Sequence, residues 1–406
     1  MKKILLISAS ILILVSACSK DESRDYTLKL YGDAFEDIGY SISIASDGYV
    51  IAGQLYNITR QDGKIVDSLS SRDLGVLKTD WNGNIVWKTS TGGRLDDWGK
   101  KIYKLDDGSL VCVGTTTVKT SLGTKTRILV VRLSAGGDIM WEKSYGGREN
   151  NWTGTDIVQV NNGFIVLGTI DSAKVAGNSA GNIAGKTNLF FLKIHDNGDY
   201  WDSNDYGFMN NDAGVAIKKD IDGGFIILGS TEESNPGMQY RNLLLVRINQ
   251  DLSITDDIIL GDALDEYAAD MEVLDDGSLM VAGNIGNETV NQKIFIRKIN
   301  KDFHSTQPAY TPFEISGASS SVNAMTSYGN NSFILSGQTG GSTAGDILVF
   351  EADANGTPVQ GTIRINGSSG VQASYDVVAG DDGYVIAVGK SSYDANSMIT
   401  FFKFRI

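Results

Sequence analysis

The stretch Lys101-Ile102-Tyr103-Lys104-Leu105-Asp106-Asp107-Gly108-Ser109-Leu110-Val111-Cys112-Val113-Gly114 decides the reading of this chain. A short strand-like run meets Asp107-Gly108, and the apolar run that follows closes on a glycine. An Asp-Gly or Asn-Gly pair between apolar runs favours a type I′ hairpin turn, because both central residues need positive φ. The unit occurs seven times. The other copies run from Asp47-Gly48 to Gly53, Asn162-Gly163 to Gly168, Gly223-Gly224 to Gly229, Asp276-Gly277 to Gly283, Asn330-Asn331 to Gly337 and Asp382-Gly383 to Gly389. Successive closing glycines are 61, 54, 61, 54, 54 and 52 residues apart.

Each copy carries two further runs. A third apolar run follows a variable loop, as at Ile128–Leu133, Leu189–Ile194 and Leu243–Ile248, and a tight turn such as Asn82-Gly83 leads to a fourth, Ile85-Val86-Trp87. Four strands per repeat with no helical period predict an all-β, seven-bladed β-propeller. The last copy stops after its third strand. An orphan run, Tyr26-Thr27-Leu28-Lys29-Leu30-Tyr31-Gly32, matches the fourth strand of other copies, such as Trp141-Glu142-Lys143-Ser144-Tyr145-Gly146. An N-terminal outer strand should therefore complete the last blade and leave no open sheet edge. An open β-solenoid is the rival fold, and the complementary missing and orphan strands argue against it.

Three segments are expected: 1–17 as an export signal, 18–25 as a tether and 26–406 as the propeller. Met1-Lys2-Lys3 is basic, and the apolar run to Val15 is too short to span a bilayer as a mature helix. Val15-Ser16-Ala17-Cys18 resembles the lipobox of bacterial lipoproteins, with Val15 where Leu is usual. That resemblance implies cleavage before Cys18 and a lipid on its thiol. Ser19-Lys20-Asp21-Glu22 resembles the surface-export tag of Bacteroidota lipoproteins, and reads equally as a polar tether. The Asp-Gly turns, the Trp87 and Trp141 strands and the pairs Gly92-Gly93 and Gly146-Gly147 resemble propeller-repeat lipoproteins of the same group. The resemblance implies a lipid-anchored protein of the outer membrane, facing the periplasm or the cell surface. Asp67-Ser68-Leu69 and Asp171-Ser172-Ala173 resemble the short Bacteroidota O-glycosylation motif, which makes Ser68 and Ser172 glycosylation candidates.

Net charge is −14, and without residues 1–17 it is −16, with 33 basic and 49 acidic residues. Such a surface repels nucleic acid, so no nucleic-acid partner is expected. The one cysteine outside the signal region, Cys112, lies in an apolar run and reads as a core residue. No zinc spacing, phosphate loop or nucleophile elbow appears, so no catalytic residue, metal or cofactor is assigned. A monomer is expected.

Turns between first and second strands, and between third and fourth, are short. The loops of the opposite face are long: Gln54–Arg72, Thr115–Thr126, Thr169–Lys186 and Ser230–Tyr240. Function on a rigid ring sits on variable loops, which places the site on that face at the mouth of the central channel. Aligning the copies on Ile42, Ile102, Ile157, Ile217, Met271, Met325 and Val377 exposes three columns. Three residues earlier stand Gly39, Gly99, Gly154, Gly214, Ala268, Val322 and Ser374, a steric column where strands crowd the axis. One residue earlier stand Asp156, Asp270 and Asp376, expected to hold structural hydrogen bonds. Five residues earlier stand Asp37, Asp97, Trp152, Asp212, Glu266, Ser320 and Gln372, with Trp98 and Tyr267 beside them.

Acids and aromatics at one mouth suit a sugar, whose apolar face stacks on rings while its hydroxyls donate to carboxylates. The same acids could instead cap backbone amides while the aromatics pack between blades; a calcium site is a third reading. The function expected is a membrane-anchored extracytoplasmic binding or scaffold module for a glycan or a protein. The alternative is a polysaccharide hydrolase or lyase using mouth carboxylates.

Overall fold

The computed structural model describes residues 26–406 apart from 33–35, 58–59, 62–63, 66–70, 172–186, 209, 233–239, 262–263, 287–291, 306, 316, 330, 341–344, 368–369 and 394–395. Seven sheets stand in a ring, and in each blade the chain works outward from the axis. In blade 2, Asp97–Lys104 is innermost, followed by Leu110–Thr120, Gly123–Leu133 and Ile139–Tyr145, all antiparallel. The other inner strands are Ile38–Ala45, Trp152–Val160, Asp212–Lys219, Glu266–Val273, Ser320–Tyr328 and Val371–Ala379. Each touches the next around the ring. The fold is an all-β, seven-bladed β-propeller. Blade 5 holds its fourth place more sparely, by reciprocal backbone hydrogen bonds between Ile294 and Phe313 (2.8 and 2.9 Å).

The ring closes as the orphan run implied. Tyr26–Tyr31 pairs with Asn396–Arg405, Tyr26 opposite Phe404 and Tyr31 opposite Ile399. The Tyr31 hydroxyl donates to the Gly83 carbonyl (2.7 Å), tying blade 7 to blade 1. Tyr145 makes the same bond to Gly198 between blades 2 and 3. Trp87 and Trp141 lie on the outer-turn glycines of the next blade. A Cβ on Gly137 or Gly198 would come within 2.7 or 3.0 Å of their indoles, so both tryptophans are inter-blade packing.

The core is seven layers, one between each pair of neighbouring blades. Val111, Val113, Ile128 and Val130 of blade 2 meet Phe164, Val166, Phe190 and Leu192 of blade 3. Second and third strands are thus covered on both faces, which is why their sequences are continuous apolar runs. Each such side chain contributes about 1.5–3 kcal/mol on burial. Outer strands such as Ile85–Thr91 alternate between exposed and half-buried residues. Cys112 is fully buried, and burial pushes its thiol up to about 12.

Two expectations need correction. The Asp-Gly turns are not type I′, since in blade 2 the glycine Gly108 alone has positive φ (81°). Gly108 N–H donates to the Leu105 carbonyl and Leu105 N–H to Ser109. That is a three-residue loop ending in a left-handed glycine, in which the aspartate keeps ordinary φ and its carboxylate accepts from the Ser109 amide (2.9 Å). Nor is Thr115–Thr126 a loop throughout: the ladder runs on through it to Thr120 opposite Gly123, so blade 2 carries a raised hairpin on the long-loop face.

Candidate functional site

All seven inner strands break register at the same step. The breaks fall at Gly39/Ser41, Gly99/Lys101, Gly154/Asp156, Gly214/Ala216, Ala268/Asp270, Val322/Ala324 and Ser374/Asp376. Each β-bulge leaves one residue out of the ladder: Tyr40, Lys100, Thr155, Val215, Ala269, Asn323 and Tyr375. A bulge re-aims its residue, and here it does so at the inner edge of the ring, toward the long-loop end. In six of the seven strands the residue before it is small, Val322 being the exception, and at the glycines crowding enforces this. A Cβ on Gly99 would lie 2.9 Å from Cys112 Sγ, and one on Gly154 2.5 Å from the Gly114 carbonyl.

Bulge residues of neighbouring blades meet. The Tyr40 and Tyr375 rings are 5.4 Å apart, and Lys100 Nζ stands 5.3 Å from the Tyr40 ring centre. Burial, more than any neighbouring charge, pushes both phenols up to about 12, so they stay neutral donors. Lys100 is exposed at the inner edge of the ring, with protein close around it. That enclosure, then repulsion from Lys101, holds its ammonium below the ordinary lysine value. Among the described residues it has no ion-pair partner.

One step further along the channel, charges are paired. Asp156, Asp270 and Asp376 each span two blades, one oxygen taking the next residue's own N–H and the other an N–H of the following blade: Ile217 (2.9 Å), Met325 (3.1 Å) and Ile42 (3.0 Å). Lys101 meets Asp376 at 3.2 Å and Lys218 meets Glu272 at 3.1 Å. Burial alone would lower Lys101, but Asp376, Asp270 and Asp156 outweigh it and hold it high. Burial raises the Asp156 and Glu272 carboxyls, against the pull of Lys101 and Lys218 respectively.

The mouth column lies just outside this ring. Asp97, Asp212 and Glu266 are fully buried and Asp37 nearly so. Asp97 accepts from the Gly93 and Thr117 amides (2.6 and 3.0 Å), Asp212 from Phe208 N–H (2.6 Å), Asp37 from Tyr56 N–H (2.7 Å) and Glu266 from the Tyr310 hydroxyl. The arrangement caps the connections between blades; burial keeps the Asp97 carboxyl above its usual range despite those bonds. Trp152 packs edge-on against Phe190 (4.7 Å). Trp98 is half-buried, and Tyr267, also half-buried, lies under the Arg241 guanidinium at 4.7 Å. Cys18, Ser68 and Ser172 fall outside the described residues. No group of three or more potential metal-ligating side chains occurs among the described residues. A cavity of about 370 Å³ opens on the opposite, short-turn face, lined by Gln159, Asn161, Lys219, Asp220 and Gln250 among others.

Sequence reasoning found the mouth and missed the bulge column. Its one signal was the small-residue column, which stands immediately before the bulged residue in six of the seven strands.

Fold and channel together define the class: a closed seven-bladed β-propeller with a polar, charge-paired channel. No protein-family model matches the chain, and no curated protein matches it in sequence. Among solved structures, puromycin hydrolase is similar over 88% of this chain and 51% of its own, at 11% identity and a TM-score of 0.50. The chain thus spans about half the length of that enzyme. The NanB sialidase from Streptococcus pneumoniae is similar over 93% of this chain and 70% of its own, at 8% identity and a TM-score of 0.47. At such identities likeness speaks to the fold alone.

Proposed function

We propose that this chain is a lipid-anchored, extracytoplasmic binding module that offers its channel mouth and long loops to a glycan or protein ligand. The observation that carries the reading is the ring of bulges, which brings one residue from every blade to a single opening. Six of the seven framework positions beside the ring are small, Val322 being the exception, while the ring itself is chemically mixed. Chain direction adds support. Tyr26 pairs beside the end of the last strand, on the short-turn face, so a tether from Cys18 joins the ring on the side away from the long loops.

Within that reading the unpaired Lys100 ammonium suits a carboxylate, and the neutral Tyr40 and Tyr375 rings suit the apolar face of a sugar. A glycan carrying an acidic sugar is the ligand that uses both. The intact protein on an array of acidic and neutral oligosaccharides should select the acidic ones, and Lys100→Gln should weaken binding roughly tenfold or more without lowering the melting temperature. Preference for neutral glycans, or an unaffected Lys100→Gln, refutes the acidic ligand; no glycan or protein ligand at all refutes the module. For the anchor, Cys18→Ala should abolish labelled-palmitate incorporation.

A polysaccharide hydrolase is the second reading, favoured by the raised Glu272 carboxyl inside the channel. Release of reducing ends that is lost in Glu272→Gln would establish it.

A further inference from the structure

The short-turn face carries exposed apolar side chains along consecutive blades. Tyr26 and Leu28 stand on blade 7, Trp81, Ile85 and Val86 on blade 1, Ile139 and Met140 on blade 2, and Tyr200 and Trp201 on blade 3. Val86 is 58% exposed and Met140 55%, values at which a large apolar side chain in a soluble protein is left against water. All lie in the outer turns or in the first half of outer strands, which begin on this face. The chain enters the fold at Tyr26, at one end of this arc and on the same face. Seven residues, 19–25, lie between Cys18 and that point, a reach of at most about 28 Å.

We propose that the short-turn rim of blades 7, 1, 2 and 3 seats on the lipid bilayer through Tyr26, Trp81, Val86, Met140, Tyr200 and Trp201. The inference rests on the anchor at Cys18 and goes beyond it: a single lipid tethers without orienting, whereas an arc of apolar and amphipathic aromatic side chains fixes which face meets the membrane. Tryptophan and tyrosine suit the headgroup level, where one end of the ring is apolar and the other wet. The outer turns carry Asp80, Asp138 and Asp199, with Lys143 paired to Asp199 and Lys29 beside Asp80, so the rim offers no basic patch and suits a zwitterionic lipid surface better than an anionic one.

The six tryptophans divide between the faces. Trp81, Trp87, Trp141 and Trp201 belong to the short-turn rim, and Trp98 and Trp152 to the long-loop end. The intact lipidated protein is placed in phosphatidylcholine vesicles whose acyl chains are brominated near the headgroup, and tryptophan fluorescence is read. Quenching is expected, and most of it should vanish in a Trp81→Phe/Trp201→Phe variant. Val86→Glu/Met140→Glu changes exposed residues only; it should reduce quenching with the melting temperature unchanged, which guards against a tryptophan variant that fails to fold. Quenching that survives both variants, or that is lost instead in Trp98→Phe, overturns the proposal. Co-flotation with the vesicles is scored in parallel. Protein that does not float overturns anchor and seating together; protein that floats unquenched overturns the seating alone.

Discussion

Lys101 Nζ lies 3.2 Å from Asp376 Oδ2, although one residue belongs to blade 2 and the other to blade 7. The lysine passes over blade 1 to reach the seam where the ring closes. Asp376 also accepts from the Ser41 hydroxyl (2.8 Å) and from the Ile42 and Val377 amides (3.0 Å each). Ser41 Oγ in turn accepts from Ile102 N–H (3.2 Å). Blades 7, 1 and 2 are thereby joined through one carboxylate.

Asp376→Ala should destabilise the fold by about 3 kcal/mol or more, because it leaves several buried donors and an ammonium unsatisfied. Asp376→Asn should cost less, and Lys101→Met on the alanine background should recover part of the loss. Denaturant unfolding of the three variants checks the order; an alanine variant as stable as the wild type would refute the seam.

Deleting Tyr26 to Gly32 should destabilise the ring severely, and deleting Ser19 to Arg24 should not. The first deletion strips the partner from Asn396–Arg405 and exposes its edge, with each ladder hydrogen bond worth about 1 kcal/mol net. Equal melting temperatures for the two truncations would contradict closure by the N-terminal strand.

Gly154→Ala should cost about 1–3 kcal/mol, since its Cβ would sit 2.5 Å from the Gly114 backbone carbonyl. Gly93→Ala, whose Cβ meets only Asp97 Oδ2 at 3.9 Å, should stay within about 0.5 kcal/mol of the wild type. Similar losses at both sites would dismiss steric crowding as the origin of the inner column.

Acid should loosen the turn aspartates. The Ser278 hydroxyl and amide, then Lys298, hold the Asp276 carboxyl down at about 2, and Asp107 is lowered by Ser109 in the equivalent turn. A carboxyl whose folded value lies below its unfolded one stabilises above about pH 4 and loses that contribution as pH falls toward about 2. The Asp107→Ala/Asp276→Ala variant should therefore be less stable than the wild type near neutrality, and the gap should narrow in acid. Urea midpoints across that range read it, and a gap constant with pH would exclude ionised caps.

Much of the architecture was legible because it is written in local chemistry. Turn glycines, apolar runs and the orphan Tyr26–Gly32 strand each report a backbone requirement that depends on near neighbours in the chain. The turn type was misread because Asp-Gly serves two hairpin geometries, and only the hydrogen bond from Gly108 to Leu105 separates them. The mouth acids were located and capping was one of the readings open to them, but the sequence could not choose it, since the partners are Gly93 of the incoming connection for Asp97 and the Tyr310 hydroxyl, 44 residues away, for Glu266.

By itself the sequence determined the repeat, the number of blades, the strand that closes the ring and the strongly acidic balance of charge. Tertiary structure alone decided that Tyr40, Lys100 and Tyr375 meet at one opening, that Lys101 answers Asp376 across the seam, and that Tyr26 begins beside an apolar rim. The physical reason is one of range. Strand pattern and turn chemistry act over a few residues, whereas the channel and the rim gather side chains tens to hundreds of positions apart, and only closure of the ring sets their distances.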